Sequence, residues 1–131
     1  MKKSFSVVSA FVGFVCFFTS CNGQSENYKS IPATEFNEKI KTEPGIIVDV
    51  RTPKEFAGGH IAGSVNINLY DDDFAKQIQK LDTAKTVYLY CGSGGRSSEA
   101  AEIFFKSGFK KINNLENGIR EWNEMNLPVE K

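Results

Sequence analysis

Thr86-Val-Tyr-Leu-Tyr90 runs straight into Cys91-Gly-Ser-Gly-Gly-Arg96-Ser97, and a stretch with helical periodicity follows from Arg96 to Ser107. The short apolar run reads as a buried strand, so a strand delivers the cysteine into a loop that opens a helix. Three glycines in the four positions from Gly92 to Gly95 free the backbone to curl with its N–H groups inward, and the next helix adds its positive dipole end. The product is an anion cradle built around a sulfur. Converging amides, the helix terminus and Arg96 favour the ionised thiol, which makes Cys91 a candidate nucleophile. An inert buried thiol is the competing reading, and the glycines with Arg96 beyond them argue against an apolar burial site. Ser93, Ser97 and Ser98 are placed either to donate to a bound oxyanion or to cap the helix.

The alternation of strand and helix extends in both directions. Tyr28 to Ile31 reads as a short edge strand, and Ala33 to Lys41 as a helix with Phe36 and Ile40 on one face and Pro44-Gly45 as its stop. Gly45-Ile-Ile-Val-Asp-Val50 is a continuous apolar strand ending on charge, the pattern of a central parallel strand covered on both faces. Lys54 to Ala57 forms one helical turn and Ser64 to Ile67 the next strand. Asp71-Asp-Asp73 opens a helix with Phe74, Ile78 and Leu81 on one face, and the helix after the loop carries Ala101, Phe104, Phe105 and Gly108 in the same way. A strand from Lys111 to Leu115 and a helix bearing Ile119 and Trp122 complete the pattern. This is an α/β chain, a parallel sheet with helices on both sides. Ligands of such sheets bind beyond the carboxyl ends of the strands, which is where Cys91 falls.

The N-terminus tells a separate story. Lys2 and Lys3 precede a mostly apolar run from Phe5 to Phe18, and Phe18-Thr19-Ser20 leads to Cys21, a pattern of export. The run is too short to be a spanning helix, which needs about 20 apolar residues. Cleavage before a cysteine resembles a bacterial lipoprotein signal, so residues 1–20 are expected to be removed and Cys21 to carry lipid. Residues 21–27, polar after Cys21, then serve as a tether to a single domain over 28–131. The expected location is the cell envelope, lipid-anchored and facing the periplasm. Cys16 leaves with the signal and Cys21 is acylated, so Cys91 is the one remaining thiol and no structural disulfide is expected. Charge is balanced at 16 basic and 16 acidic residues, or 14 against 16 without Lys2 and Lys3, and no basic patch asks for nucleic acid.

Spacing within the loop separates two chemistries. Four residues lie between Cys91 and Arg96. Cell-cycle cysteine phosphatases place five there, to wrap a tetrahedral phosphate, whereas the rhodanese family uses the shorter ring. The segment Asp49-Val-Arg51-Thr-Pro-Lys-Glu55-Phe56, followed by Gly59-His60-Ile61-Ala-Gly63-Ser-Val-Asn66-Ile67, resembles that family's first signature. Asn117-Gly118-Ile-Arg-Glu-Trp122 resembles its closing Gly-Gly-x-x-x-Trp element, with Asn117 where glycine is usual. Asparagine tolerates positive φ better than other non-glycine residues, so the same turn is expected there. The resemblance implies a three-layer α/β/α fold around a five-stranded parallel sheet of order 3-2-4-5-1, with the strand ending at Asp49 beside the one ending at Cys91.

It also implies an activity. Cys91 would take the sulfane sulfur of thiosulfate or a persulfide and pass it from a Cys91 persulfide to a thiol or cyanide. The amides from Gly92 to Ser97 would stabilise the sulfur, and Arg96 would pair with a small anionic donor. No metal or organic cofactor is needed, and a monomer is expected. Cys-Gly-Ser-Gly resembles mercaptopyruvate-specific relatives, whereas Arg96 resembles single-domain thiosulfate relatives. A non-catalytic sulfur carrier or interaction module shares the same fold. A phosphatase or arsenate reductase is disfavoured by the ring size. Among the other polar residues, His60 is expected to order backbone in its Gly-His-Ile turn, and Asp49 with Arg51 to form a buried ion pair near the loop. Asp71 to Asp73 have a sufficient reason in the helix dipole and lack the spacing of a calcium loop.

Overall fold

The computed structural model describes residues 25–131. Twelve elements follow in chain order: β1 (Lys29–Ile31), α1 (Ala33–Thr42), β2 (Ile46–Asp49), α2 (Pro53–Ala57), β3 (His60–Ile61), β4 (Val65–Asn66), α3 (Phe74–Ile78), β5 (Val87–Tyr90), α4 (Gly95–Lys106), β6 (Ile112–Leu115), α5 (Gly118–Glu124) and β7 (Val129–Glu130). Five strands form one sheet in the order β4-β2-β5-β6-β1, and every pairing in it is parallel. Counting only these five, the order is the expected 3-2-4-5-1. β5 is central, pairing with β2 from Val87 opposite Ile46 to Tyr90 opposite Asp49.

The period-two alternation of a strand divides the core between two faces. Val87 and Leu89 join Val48, Phe74, Ile78, Phe104 and Phe109 beneath α3 and α4. Tyr88 and Tyr90 point the other way and join Phe36, Ile61, Leu115 and Trp122 beneath α1 and α5. All four residues of β5 are fully buried, each apolar side chain worth roughly 1.5–3 kcal/mol against exposure. Edge-to-face contacts of Phe36 with Tyr88 (5.5 Å) and Trp122 (6.1 Å) lock α1 and α5 onto the sheet. The polar ends of these aromatics are satisfied: Trp122 Nε1 donates to Pro128 O at 3.0 Å, and the Tyr88 hydroxyl donates to Glu43 O at 2.6 Å.

Three features depart from the sequence reading. His60–Ile61 pairs antiparallel with Val129–Glu130 as a separate two-stranded sheet, which ties the chain's last residues to the turn before β4. α3 ends at Ile78, short of Leu81. Asn117 sits at φ −106°, and the positive φ falls on Gly118 instead. Asparagine in place of the usual glycine is therefore accommodated without strain. Ser25 and Asn27, at the end of the polar segment, hydrogen-bond Glu102 of α4 at 2.7 and 2.9 Å. The proposed signal, Cys16 and Cys21 lie outside the described residues.

Candidate active site

Cys91 follows the last residue of β5, at the carboxyl edge of the sheet where β2 and β5 end side by side. Gly94 then takes φ +103° as the N-cap of α4. Only glycine fits there, since an added Cβ would run into the Glu116 carbonyl oxygen and lie 3.0 Å from its carbon. This sharp turn brings the amide of Gly94 back onto the sulfur, donating to Cys91 Sγ at 3.1 Å. The Ser97 hydroxyl, on the first turn of α4, lies 3.4 Å from Sγ and 3.2 Å from Gly94 O. Its single proton serves one of these at a time, and an ionised sulfur is the stronger claimant.

These donors outweigh the cost of burial. Burial is the largest single influence on the thiol and pushes its pKa up. The Ser97 hydroxyl and the amides of Ser97, Gly94 and Ser93 together pull it below the ordinary value. Cys91 itself is only 1% exposed and packs with the core cluster beneath α4. That corrects the expectation that the loop glycines preclude an apolar burial site. Lacking side chains, they let the backbone of α5 close over the loop: Ile119 N donates to Cys91 O at 2.9 Å and Arg120 N to Gly92 O at 3.2 Å. Amides and a hydroxyl nevertheless face the buried sulfur, an environment that favours its ionised form.

Arg96 lies beside the loop, its guanidinium 3.2 Å from where a Cβ on Gly92 would stand. It is already engaged. Nη1 donates to Glu55 Oε2 at 2.8 Å and Nη2 to Oε1 at 2.9 Å, a two-pronged pair reaching across to α2. Glu55 also closes the capping box of α2, accepting from Thr52 N at 3.1 Å and Thr52 Oγ1 at 3.0 Å. Held chiefly by Arg96, its carboxyl is pulled down to about 2, and Arg96 is raised in turn. Glu55 is a site residue that the sequence reading did not single out. Its signal was Thr52-Pro-Lys-Glu55, a capping box opening a helix, and that spacing explains the glutamate without revealing its second partner.

The remaining candidates build the frame beneath the loop. Arg51 is paired with fully buried Asp49 through Nη2 to Oδ2 at 2.7 Å, and the same Nη2 reaches Gly59 O at 2.7 Å. The guanidinium thus pins the α2–β3 connection to the end of β2. Tyr90, also fully buried, receives Ile61 N at 3.0 Å and shares a hydrogen bond with Ser64 Oγ at 2.9 Å. The His60 ring stacks on Phe56 at 3.7 Å, its Nδ1 lies 3.0 Å from Phe56 O, and its Nε2 faces Glu130 at 3.7 Å. These contacts engage both ring nitrogens of His60 with Phe56 O and Glu130. Ser98 is no cap: its hydroxyl donates back to Gly94 O at 2.8 Å and accepts from Asn114 Nδ2 at 3.1 Å, whereas Ser93 is exposed at the mouth of the loop. Asp71 and Asp73 accept from Gln77 Nε2 at 3.0 and 2.7 Å. A cleft of about 580 Å³ lies at the opposite end of the sheet, lined by Lys39, Thr86, Lys111 and Ile112 among others, and includes no residue of the Cys91 loop.

The model of the rhodanese-like domain matches residues 32–125, which span every element of the five-stranded sheet except β1. The chain is 34% identical over 117 residues to the uncharacterized protein YqhL of Bacillus subtilis, covering 88% of this chain and 90% of that one. It is 30% identical over 95 residues to the thiosulfate sulfurtransferase GlpE of Pseudomonas putida, covering 72% and 84%. The crystal structure of a rhodanese-related protein from Thermoplasma volcanium superposes with a TM-score of 0.69 at 33% identity, covering 79% of this chain and 98% of that one. With its sheet order, its cysteine loop and these relatives in agreement, the chain belongs to the rhodanese-like domain family.

Proposed function

We propose that the protein is a sulfurtransferase that works through a Cys91 persulfide. The observation that carries this reading is the sulfur itself, held by Gly94 N and the Ser97 hydroxyl at the start of α4 and lowered in pKa despite its burial. A thiolate attacks the outer sulfur of a sulfane donor, and the donor's remaining half leaves with the electron pair of the broken bond. The transferred sulfur is one atom and carries the charge, so a small ring of amides suffices to hold it. A phosphoryl group needs room and donors for three equatorial oxygens, and four residues between Cys91 and Arg96 make a tight ring for that purpose. A thiol or cyanide then takes the sulfur and restores Cys91. Asp49, Arg51 and His60 serve as frame rather than as acids or bases in this scheme.

The test is intact mass after treatment with a sulfane donor. Wild type should gain one sulfur, about 32 Da, and Cys91→Ser none. Turnover with a small acceptor separates an enzyme from a carrier that is loaded once. Hydrolysis of aryl phosphates through Cys91, with no persulfide from any sulfane donor, would overturn the reading.

A further inference from the structure

Arg96 is the cation at the end of the loop, and both of its Nη groups are spent on Glu55. The Tyr70 ring, 66% exposed, stands 6.0 Å from the guanidinium carbon on the open side. The charge that an anionic donor would seek is thus cancelled by a carboxylate within 2.9 Å, in a pair only partly exposed to water. What remains are the loop amides, and those of Gly94, Ser93 and Ser97 are already turned onto the negative sulfur of Cys91. Access is also narrow, since Cys91 is 1% exposed and α5 closes one side of the loop. A sulfane sulfur on a slim alkyl arm suits this entry better than one attached directly to the bulky –SO3 group of the thiosulfate dianion.

We propose that Glu55 is a positioning residue that sets donor class by holding Arg96, so that the site favours alkyl persulfides over thiosulfate. The proposal rests on the sulfurtransferase reading. In the favoured step the Cys91 thiolate attacks the terminal sulfur of R–S–SH, the Cys91–sulfur bond forms, and the donor's S–S bond breaks. R–S⁻ leaves with the electron pair, Cys91 is left as Cys–S–SH, and no outside oxidant is required.

Two donors test it: thiosulfate, and the persulfide of N-acetylcysteamine, whose alkyl arm is uncharged and whose protonated form, R–S–SH, is the species attacked. Wild type should show kcat/KM at least tenfold higher for the alkyl persulfide. Glu55→Gln keeps the shape and frees Arg96. It should raise the thiosulfate-to-persulfide ratio of kcat/KM at least tenfold, mainly through thiosulfate KM, a change that loosening of the fold would not produce. The double variant Glu55→Gln, Arg96→Met should return the ratio toward wild type. Wild type alone supplies a further reading: its loading by thiosulfate should quicken as ionic strength rises from about 20 to about 200 mM, because like charges meet. Slowing with salt, a wild-type preference for thiosulfate, or an unmoved ratio in folded Glu55→Gln would each overturn the role of Glu55. Failure of both donors to place sulfur on Cys91 would overturn the sulfurtransferase reading itself.

Discussion

Replacing Gly118 by alanine should damage the Cys91 loop from the other side of the site. Gly118 has φ +63°, and an added Cβ would stand 2.5 Å from Gly92 C and 2.6 Å from Cys91 O, with Gly92 O nearer still. A non-glycine residue in that left-handed conformation costs about 1–2 kcal/mol. Forcing a methyl into closely packed backbone adds about 1–3 kcal/mol, and the stiffer unfolded chain of the alanine variant returns about 0.4–1 kcal/mol. The net loss should be about 1–5 kcal/mol, read as a shift in the urea midpoint at unchanged m-value. Because Ile119 N and Arg120 N bind the carbonyls of Cys91 and Gly92, the displacement should also slow alkylation of Cys91 by iodoacetamide in the still-folded protein. Gly95→Ala is the internal control. An added Cβ there meets nothing within 4 Å at a helical position, so its stability should hold or rise by up to about 1 kcal/mol. If Gly118→Ala proved as stable as Gly95→Ala and Cys91 reacted at the wild-type rate, the coupling between α5 and the loop would be refuted.

The pH dependence of Cys91 follows from the direction of its shift. Its folded pKa lies below the ordinary thiol value of 9.0, so the alkylation rate should reach half-maximum at lower pH than in the urea-unfolded chain. The corresponding stability is present above the unfolded pKa and is lost as pH falls through the folded one, and Cys91→Ser should remove that pH-dependent part. Cys21, outside the described residues, is proposed as the lipid attachment point: Cys21→Ser should leave the protein unlipidated in intact-mass and detergent-partition measurements, and an unlipidated wild type would dismiss the idea.

The central strand and its loop were legible because both signals are local. Val87 to Tyr90 is an uninterrupted apolar run, and the glycines that follow leave few other roles for Cys91. The same holds for α4, whose apolar spacing buries Ala101 and Phe104. What escaped depends on contacts between distant segments. Glu55 and Arg96 are 41 residues apart, and each has a sufficient local explanation, one as a helix-cap partner and one as the basic end of an anion loop. Only the fold shows that they neutralise each other. The pairing of His60–Ile61 with Val129–Glu130 involves two-residue strands, too short for any periodicity. Burial of Cys91 was hidden for a similar reason, since glycines read as openness in a sequence and as room for close approach in a structure.

The loop's polarity depends on two helices rather than one. The loop and the first turn of α4 supply the amides that face the sulfur, from Ser93, Gly94 and Ser97, but amides in a glycine-rich loop turn easily, and something must fix which way they point. The carbonyls of Cys91 and Gly92 are claimed by Ile119 N and Arg120 N at the start of α5. In a trans peptide the carbonyl and the following N–H point in opposite directions. Holding the Gly92 carbonyl toward α5 therefore turns the Ser93 amide away from it, toward Cys91, and that amide is among those that lower the thiol's pKa. The small residue at Gly118 makes this possible by admitting α5 to within contact of the loop. The closing Asn117-Gly118 element thus acts on the chemistry through backbone orientation, without any side chain of α5 having to touch the sulfur.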